Sequence, residues 1–155
     1  IDSDDWVCFL DGDAVHTTPF FGKRIEDTIE SNPEYDLFTC YTNRIGFPPQ
    51  IAPNVNKDTD DQKYHREFGE MIWSKNETSV IDVSNKHYIS GVLIVISKKI
   101  WEKVGGFKES QMLGVDNDIH KKVKESGGKV GLMKGVYVQH WYRGGKKNET
   151  KHLKK

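Results

Sequence analysis

Three polar clusters in this chain carry side chains that could do chemistry. Asp11-Gly12-Asp13 places two carboxylates one residue apart, directly after the apolar run Trp6-Val7-Cys8-Phe9-Leu10. Carboxylates so spaced on a tight turn can converge on one hard divalent cation, which keeps coordination positions for water and phosphate oxygens. Gly12 would let the backbone come close to a ligand. An Asp-rich turn adopted for conformational reasons gives the same tripeptide. Asp-x-Asp also occurs at Asp2/Asp4, Asp58/Asp60 and Asp116/Asp118. Position sets Asp11/Asp13 apart, because it alone follows a strand-like buried run, where open α/β sheets place their ligands.

Gly114-Val115-Asp116-Asn117-Asp118 is the second cluster. It reads as a helix N-terminus, where acids suit both capping and the dipole. It reads equally as a carboxylate projecting into a cleft as a general base. The third, Gln139-His140-Trp141, closes the last apolar run. An imidazole there is either an ordinary satisfied polar group or a ligand completing the shell of a Mn²⁺-like ion, which accepts nitrogen beside oxygen.

The elements that must hold these clusters alternate along the chain. Trp6–Leu10 reads as a buried parallel strand. Thr17-Thr18-Pro19 reads as the cap and first turn of a helix whose buried face is Phe21, Ile25 and Ile29. Residues 35–41 form the next strand. Gly46, Pro48, Pro49 and Pro53 make 44–61 a long loop, expected to touch donor or acceptor and to close over it. Asp60 or Asp61 caps a second helix with Tyr64, Phe68, Met71 and Ile72 inward, and 79–83 is a short edge strand. Residues 88–96 are the most apolar run and read as a central strand. Ser97 caps a short helix that Gly105-Gly106 stops. A helix over 116–126 and a strand over 129–138 complete the chain. Such alternation implies an α/β sheet covered on both faces.

A length of 155 residues points to one domain. Lys+Arg and Asp+Glu are both 23, so the chain lacks the basic footprint of a nucleic-acid binder. Lys146, Lys147, Lys151, Lys154 and Lys155 make 144–155 a basic tail, read as solvated and flexible or as a weak contact for phosphate or anionic lipid. Cys8 and Cys40 lie in apolar runs and read as two buried thiols of a cytosolic protein. No apolar stretch approaches the roughly 20 residues of a membrane span, and no signal peptide is visible. The expected location is the cytoplasm, with peripheral membrane attachment as the alternative. The opening Ile1-Asp2-Ser3-Asp4-Asp5, without an initiator Met, reads as the start of a fragment.

Taken in order, these features resemble the inverting GT-A glycosyltransferases of the family-two type. The residues that carry the resemblance are the strand followed by Asp11-Gly12-Asp13, then Ser90-Gly91 in an apolar strand. Trp101-Glu102-Lys103-Val104-Gly105-Gly106-Phe107 and Val115-Asp116-Asn117-Asp118-Ile119 follow, and then a strand ending in His140. The resemblance spans nearly the whole chain. It implies a GT-A-like, Rossmann-related mixed and mostly parallel sheet with helices on both faces. Residues 1–143 would form one partial catalytic domain lacking much of the N-terminal nucleotide-binding region: a trimmed piece, a chain whose partner supplies that half, or a reduced variant.

The implied activity is metal-assisted transfer of a sugar from a nucleoside-diphosphate sugar, a UDP- or GDP-sugar, to a hydroxyl of a saccharide or glycan acceptor, with inversion. The implied cofactor is Mn²⁺ or Mg²⁺. Asp11 would approach the ribose or the metal through water, Gly12 would lie against the donor, Asp13 would bind the ion, and His140 matches a metal ligand. Asp116 matches the base; Gly91, His87, Tyr88, Asp118 and Trp141 would belong to the acceptor side. Two departures stand out: Val115 replaces the family's usual Glu, and no base-reading region precedes Asp11. The competing reading is a non-catalytic sugar- or nucleotide-binding module of the same fold. A nucleotidyltransferase would need a Gly-rich basic phosphate loop near the N-terminus, which this sequence lacks.

Overall fold

The structure, a computed structural model, describes residues 5–108 and 113–142. The expected tail at 144–155 and the Asp2/Asp4 pair lie outside the described residues. The strands are β1 (Trp6–Leu10), β2 (Ala14–His16), β3 (Leu37–Thr42), β4 (Val80–Asp82), β5 (Leu93–Ser97) and β6 (Val130–His140). The helices are α1 (Phe21–Ser31), α2 (Gln62–Asn76), α3 (Lys98–Val104) and α4 (Val115–Glu125), with a 3-10 turn at Pro48–Gln50.

All six strands join one sheet in the order β1-β5-β3-β6-β2, with β4 also on β6. The central strands are apolar on both faces because both faces are covered. Phe38, Cys40, Leu93 and Val95 point to the face that Ile25 of α1 covers. Leu37, Tyr41, Ile94 and Ile96 point to the other, where Phe68 and Ile72 of α2, Ile100 of α3, and Ile119 and Val123 of α4 pack. Burying each such aliphatic side chain stabilises the fold by about 1.5–3 kcal/mol. The α/β class, the mixed sheet and the helices on both faces are therefore as the sequence implies.

The expectation of a mostly parallel sheet is corrected. Among the described strands only β3 and β6 pair in parallel; β1–β5, β3–β5, β2–β6 and β4–β6 are antiparallel. The cause is the connection into β5. Asp82 at the end of β4 faces Gly131 near the start of β6, whereas Leu93 at the start of β5 faces Leu10 at the end of β1. Residues 83–92 thus carry the chain from one end of the sheet to the other before β5 begins, and β5 runs back.

β1 is correspondingly an antiparallel strand at the end of the sheet order, not a buried parallel one, and its Leu10 is 38% exposed. Cys8 is exposed and Cys40 buried, so the pair is not two buried thiols; both are free, and burial pushes both thiols up.

The start of α1 also differs. Residues 14–16 extend as β2 along β6, and the helix begins at Phe21 after Phe20, whose φ of 57° lies in the left-handed region, with no side-chain cap. Thr17 does not cap it; its hydroxyl donates to the His65 carbonyl at 3.1 Å. Three other caps match their sequence signals. Asp61 accepts from the Lys63 N–H, Ser97 accepts from the Ile100 N–H, and Gly105 ends α3 with φ 74°. β6 carries a bulge, since Cys40 faces Met133 but Tyr41 faces Tyr137. Gly135 lies in the bulge, where a Cβ would come within 1.9 Å of the Glu77 carbonyl oxygen beyond α2.

Candidate functional site

Strand direction brings the polar clusters together. β1 and β3 are each antiparallel to β5, and β3 is parallel to β6. The carboxyl ends of β1, β3 and β6 therefore share one edge of the sheet. Asp11 follows β1 there. Its N–H donates to the Val92 carbonyl at 3.1 Å, and the Ala14 N–H donates to the Asp11 carbonyl at 3.0 Å, which closes a tight turn. The turn delivers Ala14 opposite His140, and the Trp141 N–H donates to the Asp13 carbonyl at 2.9 Å.

That pairing sets Asp13 beside His140. The His140 Nε2 lies 3.0 Å from Asp13 Oδ1 and 3.8 Å from Asp11 Oδ2. Its Nδ1 lies 2.8 Å from the Arg44 carbonyl oxygen. A carbonyl only accepts, so Nδ1 carries the proton and donates. In a neutral ring Nε2 then aims a lone pair at two carboxylates. That arrangement is attractive only with a second proton on the ring or a cation between the three groups. A backbone carbonyl fixing Nδ1 is the usual support of a metal-binding imidazole. One ligand atom from each of Asp11, Asp13 and His140 fits within 4.8 Å of the others, and mixed carboxylate and imidazole donors suit a divalent ion of the Mn²⁺ type. His140 is 5% exposed while Asp11 and Asp13 are 48% and 52% exposed, so the group is anchored on the sheet side and open on the other. Burial raises the Asp11 carboxyl above its ordinary value; His140 opposes this, and Asp13 and Asp116 add to it.

The group opens into a cleft of about 520 Å³ that Asp116 and Gly91 also line. Phe9, Phe107 and Tyr142 supply apolar walls, and no Lys or Arg lines the cleft among the described residues. The N-cap of α4 is Gly114, with φ 77°, so Asp116 is not spent on capping. Its Oδ2 accepts from the Gly91 N–H at 3.0 Å, and its Oδ1 accepts from the Asn117 N–H at 2.9 Å. A Cβ on residue 91 would sit 3.1 Å from the Asp116 Cβ, which explains a glycine there.

Five of the sequence-predicted residues thus meet in one place: Asp11, Asp13, Gly91, Asp116 and His140. Others do not. Asp118 pairs with Lys122 at 2.8 Å on its own helix, and neither it nor His87 lines the cleft. Trp141 is 43% exposed and also outside the lining. Tyr88 packs on Phe47 with ring centroids 5.1 Å apart. Gly12 has open space on its Cβ side. The loop 44–61 contributes nothing to the lining.

The loop matters in another way, which sequence reasoning missed. Arg44 ties it down by donating to Asp60 Oδ1 at 2.8 Å and to the carbonyls of Lys57 and Thr59. Asn43 Oδ1 accepts the His140 N–H at 2.7 Å, and Gln50 is fully buried against Ser90. For Asn43-Arg44 there was a signal, a polar pair at the end of a buried strand, the same signal that singled out Asp11. For Gln50 there was none. No protein-family model matches the chain, and no curated protein matches its sequence.

Proposed function

We propose that this chain is the acceptor-side part of a metal-dependent, inverting GT-A-type glycosyltransferase that uses a nucleoside-diphosphate sugar. The observation that supports this most is the meeting of Asp11, Asp13 and His140 with Asp116 across one cleft, in the motif order that the resemblance implies. A divalent cation held by Asp13, His140 and Asp11 would neutralise the negative charge developing on the departing diphosphate. Asp116 takes the proton of the acceptor hydroxyl as its oxygen attacks the anomeric carbon. The bond from that carbon to the diphosphate oxygen breaks with its electron pair, and the centre inverts. The N–H groups of Gly91 and Asn117 hold both Asp116 oxygens in place, so the base meets the hydroxyl in a fixed orientation. Phe9, Phe107 and Tyr142 line the cleft, and aromatic side chains of this kind pack on sugars and exclude water.

One observation favours a second reading. Val115 lines the cleft where the resembled family carries Glu, as a non-catalytic sugar- or nucleotide-binding module would tolerate. Calorimetry of UDP and GDP binding with Mn²⁺, on the parent and on Asp13→Ala, is the first test; sugar transfer by the parent and by Asp116→Asn is the second. Metal-dependent binding lost in Asp13→Ala, with transfer lost in Asp116→Asn, supports the enzyme. Binding without transfer across donors and acceptors supports the module. A folded parent that binds neither nucleotide with Mn²⁺ means that the nucleotide-binding region is needed in addition or that the module is not catalytic.

A further inference from the structure

We propose that Gln50 is a positioning residue for Asp116, acting through the backbone of Ser90 and Gly91; this rests on the reading of Asp116 as the base. Gln50 closes the 3-10 turn Pro48–Gln50, and two prolines preset the backbone on which it is mounted. Its side chain is fully buried. The amide pairs with Ser90 much as a neighbouring strand would: the Ser90 N–H donates to Oε1 at 2.7 Å, and Nε2 donates to the Ser90 carbonyl at 3.0 Å. Nε2 also donates to Thr39 Oγ1 at 2.8 Å, which anchors the amide on β3.

Ser90, half-buried, lies ahead of β5, where the ladder has not begun, so its backbone groups need partners from elsewhere. Gln50 supplies them. The next residue, Gly91, donates to Asp116 Oδ2 at 3.0 Å. The chain of contacts thus runs from β3 through Gln50 to Ser90, Gly91 and the carboxylate. Gln50 does not line the cleft itself. An amide is required: a carboxylate would repel the Ser90 carbonyl, and an apolar side chain would leave three polar groups unpaired.

The test compares Gln50→Met and Gln50→Glu with the parent, in the full chain, by amide hydrogen exchange and Mn²⁺ titration. In Gln50→Met the Gly91 and Asn117 amides should exchange about tenfold faster, the scale of one lost hydrogen bond, with Ile119 and Leu132 unmoved. Mn²⁺ affinity should stay within about twofold, since the ligand groups are not touched. Where transfer is measurable, kcat should fall with donor KM unchanged. Gly91→Ala, which wedges Asp116 from the sheet side, should reproduce the kcat loss with Gln50 intact. Unmoved Gly91 and Asn117 amides in a folded variant overturn the proposal, as does uniform acceleration across the core. If Gln50→Met does not fold, Gln50→Glu carries the same comparison. A parent that transfers no sugar even with a nucleotide-binding region supplied would sink the glycosyltransferase reading, while the exchange result would still decide whether Gln50 holds Asp116.

Discussion

His140 Nε2 lies 3.0 Å from Asp13 Oδ1 although the two residues are 127 positions apart. The β2–β6 ladder brings the backbones together, and the Arg44 carbonyl turns the ring so that Nε2 faces the acids. If a divalent ion belongs between them, Mn²⁺ must stabilise the folded chain. At a hundredfold excess over Kd the gain is about 2.7 kcal/mol, or roughly 5–10 °C in Tm for a chain of this size. Asp13→Ala and His140→Ala should each remove most of that shift. If the contact is instead an imidazolium–carboxylate pair, Mn²⁺ will leave Tm unchanged and Asp13→Ala will lower it with or without the ion. Thermal unfolding with and without Mn²⁺ separates the two.

The acid response follows from two other histidines. His120 is fully buried, and His16 stacks on Phe21 with ring centroids 3.9 Å apart. Burial holds both imidazoles down to about 4, from an ordinary 6.5. Between those values the unfolded chain binds more protons than the folded one, so stability falls as pH drops through the window. Asp11 acts in the opposite sense. Its raised pKa makes the folded state bind a proton more tightly, so ionising it costs stability as pH rises through the folded value. The two histidines outnumber it, and the urea midpoint should fall from neutral pH to about pH 4.5. His120→Leu should flatten that fall. A midpoint as steep in the variant as in the parent would show that His120 is not the titrating group.

Much of this was legible before the fold was known, for identifiable reasons. Ser97, Asp61 and Gly105 mark helix ends through local hydrogen bonds, so local sequence suffices to find them. Asp11 and His140 stand out in the sequence because each ends an apolar run, and strand ends gather at one edge. Strand direction was not legible. It depends on residues 83–92 crossing the sheet before β5, a path without any periodic signal. β2 was hidden because three residues are too few to show alternation, and Thr17-Thr18-Pro19 imitates a helix start. β1 looked buried because it is continuously apolar, yet pairing, not composition, decides which strand ends the sheet. Gln50 reads as one more polar residue in a proline-rich loop, and only the fold reveals that it faces Ser90.

Two glycines separate stability from binding. At residue 135 a Cβ would lie 1.9 Å from the Glu77 carbonyl oxygen and 2.9 Å from the Trp73 ring. Backbone cannot yield that far, and Gly135→Ala should cost about 3 kcal/mol or more in urea unfolding. Nothing lies within 4 Å of a Cβ at residue 12, so Gly12→Ala should change stability by no more than about 0.5 kcal/mol. If the Asp11–Asp13 turn lies against a nucleotide, that variant should still lose UDP or GDP affinity. Unaltered affinity would place the nucleotide away from the Gly12 backbone.

Arg44 has two separable roles, and substitution can divide them. Its carbonyl accepts from His140, which any residue could offer, while its guanidinium grips the Lys57 and Thr59 carbonyls and Asp60. Arg44→Ala deletes only the second. The Lys57–Asp58 bond is a trypsin site whose carbonyl the guanidinium holds. Cleavage requires that carbonyl to leave its partner, so the rate follows the local opening equilibrium. Limited trypsin digestion should cut at Lys57 about tenfold faster in Arg44→Ala, the effect of losing charge-assisted hydrogen bonds. Arg44→Lys should resemble Ala more than Arg, because one ammonium cannot span the groups that the planar fork reaches. Mn²⁺ affinity should fall less than in His140→Ala, since the carbonyl remains. An unchanged cleavage rate would mean that the Ala52–Thr42 backbone bond and Gln50 hold the loop without the guanidinium.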